Sequence, residues 1–382
     1  MLAAKFLQRG NDQGEAARMS LMMDIAELSA EELGPVMELV SKGEQSGGVM
    51  ASLAVRWAML DPKAALAFVS GRKGLGDNLW VVSPIVLELA KVDVPAAKAA
   101  VLKLEGWAGQ ETARKLILMM QEKDARAALA YARELGDEDS AVLILRSMAQ
   151  NDPMAAAAEL TPGKQNQTQV VEIIAHRLLE REPAAFESWA DSLKDPVQRA
   201  AARSSALVVK AGTDPKGAAL AATAWLAREP EAAAQDGFAP SRIVQCWLAN
   251  EASPSEVAAW AAALPSGLFR DRAIMELGSL WEDTMAASAW VSSLPGGMGR
   301  DNAVRSLVHR IRDEDPADAI EWARTLGNPS MRYEALTSTL LGWAVKDLPA
   351  AQAAVETLPA GDRGYLLEVL QEQERERAKR QK

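Results

Sequence analysis

Apolar and polar positions along the chain follow one repeating pattern. Within residues 253–264, Pro254 is followed by a tryptophan six residues later and by a leucine ten residues later. In a helix these two positions lie one turn apart and share a face. The pattern therefore predicts a short helix with one apolar face that recurs along the chain. The same spacing is found at Pro183 with Trp189 and Leu193, at Pro316 with Trp322 and Leu326, and at Thr284 with Trp290 and Leu294.

Flanking residues predict where each short helix begins and ends. An acidic residue or a serine precedes the proline and can cap the helix, and proline fits the first turn, where no N–H partner is needed. Residues 264–267 and 294–297 carry Leu-Pro-x-Gly stops that cannot continue a helix. A second helix with a recurring alanine follows. Because short loops force paired helices to pack antiparallel, each unit is predicted to be a helix hairpin.

Ten such units can be placed along the chain. From Pro62 to Pro349, nine steps average about 32 residues, which is typical of helical-pair repeats. Neither helix of a pair can bury its apolar face alone, so the pairs must stack. The sequence predicts an all-α fold, an open α-α superhelix (solenoid) of about ten to eleven antiparallel helix hairpins. The predicted unit starts are Pro62, Pro95, Ala125, Pro153, Pro183, Pro215, Pro254, Thr284, Pro316 and Pro349.

Three segments are predicted. Residues 1–28 form N-terminal lead-in or capping helices, residues 29–363 form the helical-repeat array, and residues 364–382 form a C-terminal capping helix and charged tail.

Two local signals lie near the start of the array. Ser29 and Glu32 have the spacing of a capping box, which predicts a helix start at this point. Gly47 and Gly48 are predicted to break the chain before a helix over residues 49–60.

Two short stretches resemble known helical-repeat families. The segment from Asp315 and Pro316 to Trp322 resembles the junction of tetratricopeptide repeats, where a proline closes one unit and a tryptophan sits early in the next. Residues 195–201, which begin with Asp195 and Pro196, resemble the second-helix entry of HEAT repeats. The resemblance is at the level of pattern and covers nearly the whole chain, and it implies an α-solenoid.

The chain departs from the tetratricopeptide pattern in one respect. Its Leu-Gly pair after Trp322 is Leu326-Gly327, which is the wrong offset, so the peptide-clamp residues of that family do not transfer. The combination of Asp-Pro, Trp and Leu-Pro-x-Gly is similar to repeat arrays in large bacterial proteins of Planctomycetes and Verrucomicrobia. That similarity implies a scaffold role.

Composition and charge narrow the possible partners. The formal net charge of −10 argues against a nucleic-acid protein and permits basic protein or peptide partners. Cys246 is the only cysteine, so no internal disulfide framework is possible. No apolar run approaches the roughly 20 residues that span a bilayer. The expected location is cytoplasmic for the chain as given, or periplasmic or exported if a signal or anchor has been removed.

Arginine recurs sixteen residues after the unit start. The members are Arg199, Arg270, Arg300 and Arg332, with Arg363 near the equivalent place. A cation at a helix N-terminus opposes the helix dipole and needs a counter-charge. The sequence favours an inter-repeat ladder with acidic junction residues over contacts to a bound protein. The candidate acids are Glu182, Asp271, Asp301 and Asp315.

Aromatic residues form a second series, and tryptophan is unusually common in it. These side chains could line a peptide groove, because tryptophans dominate interface hot spots. Their helical spacing favours a place in the hairpin core instead. The series is Phe68, Tyr131, Trp189, Trp260, Trp290 and Trp322.

Other chemical signals are weak. His176 and His309 occupy equivalent repeat positions, which favours packing over a catalytic pair. Residues 71–76 form a glycine-rich basic loop that lacks the strand of a phosphate loop. Residues 137–139 and 313–315 are acidic clusters at turns, where solvation and capping are the common roles. No metal-ligand spacing and no cofactor motif is found.

The sequence leads to two functional hypotheses. The first is a non-catalytic scaffold that presents an extended concave surface to a peptide or protein partner. Its candidate partner-binding residues are Arg199, Arg270, Arg300, Arg332, Trp189, Trp260, Trp290 and Trp322. The alternative is an all-α toroid enzyme of glycosidase or lyase type, with a cavity lined by tryptophans and carboxylates.

Overall fold

A computed structural model describes residues 15–42, 47–70, 72, 78–234 and 238–380 of the chain. These residues form 23 α-helices and two short 3₁₀ helices, and none of them lies in a β-strand. The predicted all-α class is confirmed. Contacts divide the chain into two compact units, residues 1–148 and 149–382.

The described part of the N-terminal unit contains eight complete helices and the start of a ninth. Helix α9 (Glu138–Asn151) runs across the boundary between the units. The preceding helices are α1 (Glu15–Glu27), α2 (Ala30–Val40), α3 (Gly47–Leu60), α4 (Pro62–Val69), α5 (Leu79–Val92), α6 (Val94–Val101), α7 (Gly106–Lys123) and α8 (Ala125–Glu134).

The C-terminal unit continues the alternation. Its two 3₁₀ helices are Gln165–Gln167 and Pro230–Ala234. Its α-helices are α10 (Pro153–Ala157), α11 (Thr168–Arg181), α12 (Pro183–Ser192), α13 (Pro196–Ala211), α14 (Pro215–Arg228), α15 (Ala239–Ala249), α16 (Pro254–Ala263), α17 (Leu268–Leu280), α18 (Thr284–Ser293), α19 (Met298–Ile311), α20 (Pro316–Arg324), α21 (Pro329–Lys346), α22 (Leu348–Glu356) and α23 (Ala360–Arg380).

The even-numbered helices α4 to α22, called first helices below, begin at the predicted unit starts or one residue before them. Most have an aspartate as N-cap, as expected: Asp61 accepts a hydrogen bond from Ala64 N at 2.9 Å, and Asp315 accepts one from Asp318 N at 3.0 Å. The capping box is also present, since Glu32 accepts the backbone N–H of Ser29 at 3.0 Å. These helices therefore begin where the capping residues in the sequence predict.

One predicted break is wrong. Gly47 and Gly48 do not interrupt the chain before α3, because the helix starts at Gly47. Glycine is tolerated in a first turn, and a Cβ at Gly48 would meet nothing within 4 Å. The last helix also starts earlier than expected, at Ala360 rather than residue 364.

The odd-numbered helices from α3 onward, called second helices below, contact one another in sequence order within each unit. In the N-terminal unit α3 contacts α5, and α5 contacts α7. In the C-terminal unit the same relation connects α11, α13, α15, α17, α19, α21 and α23. First helices lie against the second helices that flank them, as α20 does against α19 and α21. Each apolar face is thus covered by neighbours in sequence.

One contiguous core results in the C-terminal unit, from Ala200 in α13 to Leu370 in α23. One close approach between helices in this core uses small residues. A Cβ placed on Gly278 of α17 would lie 2.9 Å from the Cβ of Ala303 in α19 and 3.0 Å from its Cα. Glycine at position 278 therefore sets how near these two second helices can come.

Replacing Gly278 by alanine tests this packing. We expect Gly278→Ala to be about 1–3 kcal/mol less stable than the matched variant Gly342→Ala, because the added methyl overpacks the α17–α19 contact. Gly342 is also inside a helix, but its Cβ position is open. Gly342→Ala should gain up to about 1 kcal/mol from helix propensity alone. Urea unfolding of both variants measures the difference, and equal stabilities would contradict the close approach.

Candidate functional site

Three members of the arginine series donate to the end of the preceding first helix. Arg199 Nη1 donates to the carbonyl of Leu193 at 2.7 Å, and Arg332 Nη1 donates to the carbonyl of Leu326 at 3.0 Å. Arg363 makes the equivalent bond to the carbonyl of Leu358 at 3.1 Å. These carbonyls lie at the negative end of a helix dipole. Backbone carbonyl groups therefore supply part of the counter-charge that was predicted for these arginines.

Each of these three cations has an acidic partner, but none of the partners is a predicted one. Arg363 pairs with Glu356, seven residues before it, at 3.6 Å. Arg199 pairs with Glu229 at 3.1 Å, and Arg332 pairs with Asp362 at 3.6 Å. In both pairs the acid lies 30 residues later, which places it in the next unit. Among the described residues, the predicted acids Glu182, Asp271, Asp301 and Asp315 do not pair with these arginines, and that assignment is corrected.

Two of the four predicted acids, Asp301 and Asp315, accept hydrogen bonds from backbone N–H groups at helix starts. Asp301 is buried and accepts N–H groups of Gly327 at 3.0 Å and Asn328 at 2.8 Å, at the start of α21. Asp315 caps α20. A carboxylate there satisfies N–H groups that a helix start leaves free. The sequence could not distinguish this role from an ion pair, because both need an acid at a junction.

The other two arginines differ from the series. Arg300 donates to the carbonyl of Thr325 at 2.9 Å, at the end of the following first helix. Arg270 has a buried Nε with no hydrogen-bond partner among the described residues. Arginines of this series therefore bind the end of the preceding first helix at only some of the junctions.

Aromatic residues six positions into a first helix pack on an aromatic that ends the preceding second helix. The ring centroids of Trp281 and Trp290 are 5.3 Å apart, and those of Trp247 and Trp260 are 5.8 Å apart. Trp260 Nε1 also lies 3.2 Å from Thr223 Oγ1 of α14. Packing of these rings supports a place between helices, with Trp189 buried and Trp260, Trp290 and Trp322 half-buried.

A second cation set was missed in the sequence. Each member lies near the end of one helix and donates to backbone carbonyls that end an earlier one, 28 to 33 residues before it. Arg181 Nη1 reaches the carbonyl of Asn151 at 3.2 Å, and Lys346 Nζ reaches that of Asp313 at 2.8 Å. The available signal was a lysine or arginine near the end of a second helix. The full set is Arg56 to Leu28, Arg181 to Asn151, Arg310 to Gly278 and Trp281, and Lys346 to Asp313.

The two histidines are exposed, so the prediction that they serve packing is wrong. His176 lies 3.1 Å from Glu180 on the open face of α11. His309 is exposed on α19. Both lie on the face of a second helix that neighbouring helices leave uncovered.

The remaining sequence signals have structural roles or fall outside the described chain. Asp137 caps α9 by accepting the N–H of Ser140 at 3.1 Å. Burial, followed by the charge of Glu134, raises the pKa of Tyr131 to about 12, so its phenol stays protonated at neutral pH. Of residues 71–76 only Arg72 is described, so the loop itself lies outside the described residues. No group of three His, Cys, Asp or Glu side chains suited to a metal ion occurs in the described ranges.

A cleft in the C-terminal unit lies on α17, α19 and α21. Its volume is about 490 Å³. The cleft is lined by Ser279 from α17, by Arg305, Ser306, Val308, His309, Arg310 and Arg312 from α19 and its end, and by Glu334, Ala335 and Ser338 from α21.

Charge in this cleft is mostly positive. Arg310 is held by carbonyls at the end of α17, including that of Gly278 at 3.0 Å. Within the part of the chain that the structure describes, neither Arg305 nor Arg312 has an acidic or hydrogen-bonding partner. Glu334 is the only acid in the lining. The cleft therefore offers two free guanidinium groups in a chain whose net charge is −10.

A second cleft, of about 450 Å³, lies in the N-terminal unit. It is more neutral, and its polar walls include Arg114 and Asp137, which lie 3.8 Å apart. Gly109 is required at its edge, since a Cβ there would meet the carbonyl oxygen of Leu104 at 2.7 Å. Because Arg114 and Asp137 pair with each other, the second cleft leaves less charge available to a ligand than the first cleft does.

Comparisons with known proteins give no relatives. No protein-family model matches the chain. Searches of curated proteins and of solved structures likewise find no significant match. In the described part of the chain, none of the helices combines the length and the apolar character needed to cross a membrane.

Asp195 connects the start of α13 to the segment after α10 and makes stability depend on pH. Burial opposes its charge, but N–H donors from Gly163, Gln198 and Val197 and the nearby Arg199 outweigh this and hold its pKa below the ordinary 3.8. Because the folded pKa is the lower one, the ionised side chain contributes stability above pH 3.8. That contribution is lost as the pH falls through the folded pKa.

We therefore expect Asp195→Asn to cost about 0.5–2 kcal/mol near pH 7, the range for a helix cap. The difference from the wild-type chain should shrink below about pH 3.8. Urea unfolding at a series of pH values measures it. Asp191→Asn is the matched control, because Asp191 is exposed and, among the described residues, pairs only with Arg203. A cost for Asp195→Asn that stays constant with pH would contradict the assignment.

Proposed function

We propose that the chain is a non-catalytic protein-interaction scaffold of the helical-repeat type, in which ten to eleven hairpins form an open solenoid that resembles tetratricopeptide and HEAT arrays. Sequence-order contacts between second helices in each unit support this proposal. Such an array binds by presenting many weak contacts at fixed spacing to an extended or helical partner.

The observation that carries the proposal is the register between exposed faces of neighbouring second helices. Gln245 on α15 donates to Glu276 on α17 at 2.8 Å, so exposed side chains of adjacent units touch. One helix further, α19 and α21 share the charged cleft with α17. A surface built from several units in fixed register suits a partner that is itself extended.

The candidate arginines and tryptophans have a reduced part in this proposal. Arg199 and Arg332 are engaged with carbonyls and acids, and the tryptophans contact neighbouring helices. Their contact with a partner stays a prediction. Exposed faces of the second helices are the surface that we assign to binding.

Solution scattering distinguishes the open array from a closed toroid enzyme. A compact chain of this length should have a radius of gyration of about 21 Å. We expect a value clearly above that for the purified full chain, because an array lengthens with each unit. A value near 21 Å would reject the open array and favour a closed ring.

Site-specific photo-crosslinking tests the binding surface. A benzophenone amino acid placed at Gln245 or Ser279, both exposed on second helices, should capture the same protein in native cells. Placement at Met285, which is 84% exposed on the first helix α18, is the control and should not capture it. Mass spectrometry identifies the product. Equal capture from Met285, or no capture from any position, would contradict the proposal.

A further inference from the structure

We propose that the cleft between α17, α19 and α21 binds a segment of the protein partner that is rich in aspartate and glutamate. Arg305 and Arg312 supply the charge, and His309 lies between them. This inference rests on the proposed scaffold function and adds the chemistry of the partner. It differs in sign from the expectation of a basic partner, which came from net charge alone.

The two guanidinium groups are available to a ligand. Arg305 is exposed, Arg312 is half-buried, and neither has a partner among the described residues. The neighbouring Arg310 is not available, because it donates to the carbonyls of Gly278 and Trp281 at the end of α17. A planar guanidinium without an internal acid is suited to bind a carboxylate through two parallel hydrogen bonds.

Spacing along α19 fits a peptide better than a single ion. Arg305 and Arg312 are seven residues apart, or about 10.5 Å along the helix axis. In an extended segment of polyproline II type, side chains three residues apart lie on the same side of the chain and are separated by about 9.3 Å. Two carboxylates of one extended segment can therefore reach both arginines. The cleft volume of about 490 Å³ also falls within the range of about 300–1,000 Å³ for ligand pockets.

Other hydrogen-bond donors in the cleft complete the recognition of oxygen atoms. Ser306 is half-buried beside Arg305, and His309 is exposed one turn further along α19. A serine hydroxyl and an imidazole N–H can each donate to a carboxylate. Val308 and Ala335 give the cleft an apolar part that the aliphatic stem of a glutamate can contact.

Neighbouring charges argue against nucleic acid as the ligand. A nucleic-acid surface needs basic residues that continue along the backbone path. Here Glu276 lies on the exposed face of α17, and Glu334 lines the opposite wall of the cleft on α21. A continuous row of phosphates would meet these carboxylates. A peptide can place acids at the arginines and neutral or basic residues beside Glu334, which makes Glu334 a determinant of orientation.

Fluorescence anisotropy with a labelled octaglutamate peptide tests the proposal on the purified full chain. We expect the double variant R305Q/R312Q to bind the peptide about tenfold more weakly, since loss of about 1.4 kcal/mol corresponds to that factor. The variant E334Q should bind it about two- to fivefold more tightly, because an opposing charge is removed. Both effects should diminish at high salt.

The matched control is R126Q/R228Q, which removes two exposed arginines outside the cleft and gives the same net charge. It should leave peptide affinity nearly unchanged. Circular dichroism and urea unfolding establish that all variants are folded. An octalysine peptide and an eight-nucleotide oligothymidine complete the set of probes, and both should bind more weakly than octaglutamate.

Several results would overturn the proposal. Absence of octaglutamate binding, equal weakening by the control pair, or weaker binding by E334Q would each reject the cleft as an acidic-peptide site. Tighter binding of oligothymidine through Arg305 and Arg312 would reject carboxylate in favour of phosphate. Crosslinking from Gln245 is a separate readout. Partner capture without octaglutamate binding rejects this inference alone, whereas octaglutamate binding without capture rejects the scaffold and leaves the cleft.

Discussion

The rest of the structure depends on hydrogen bonds between side chains of one helix and the free backbone groups at the end of a neighbouring helix. Helices leave carbonyl groups unsatisfied at their C-termini, and at several of these ends a cation from a later helix donates to them, as Arg181 does to Asn151 and Lys346 to Asp313. Helix starts are satisfied in the same way, by Asp301 for the N–H groups of α21. Apolar packing brings the helices together, and these bonds fix where along its length each helix meets the next.

Much of the fold could be predicted from the sequence because its signals are local. An aspartate before a proline caps the helix in the same unit, and the apolar period identifies the face that must be buried. The contact between Trp281 and Trp290 is also local, because Trp281 directly follows α17 and Trp290 lies in the next helix, α18. The error at Gly47 shows the limit of this reasoning, since a glycine pair is compatible with either a break or a helix start.

The candidate site could not be predicted from such signals because its geometry is not local. Arg199 and Arg332 look equivalent to Arg270 in the sequence, yet their acidic partners are contributed by residues 30 positions away, and Arg270 Nε has no hydrogen-bond partner among the described residues. Repeat position alone also misplaced His309, which lies on an exposed face. A cation is free when no acid or carbonyl of a neighbouring helix lies within reach. Only the folded structure determines which cations meet that condition.

Pairing of most cations with nearby groups explains how a chain of net charge −10 can carry a positive cleft. Most arginines and lysines with described contacts are engaged by carbonyls or acids of adjacent helices, so their charge is compensated where it lies. Net charge governs long-range attraction, whereas recognition at contact distance depends on the groups left uncompensated. In the described part of α19, Arg305 and Arg312 are such groups, and the acidic remainder of the surface would keep acidic segments away from other places. A site of opposite sign to its surroundings thereby gains specificity from repulsion as well as attraction.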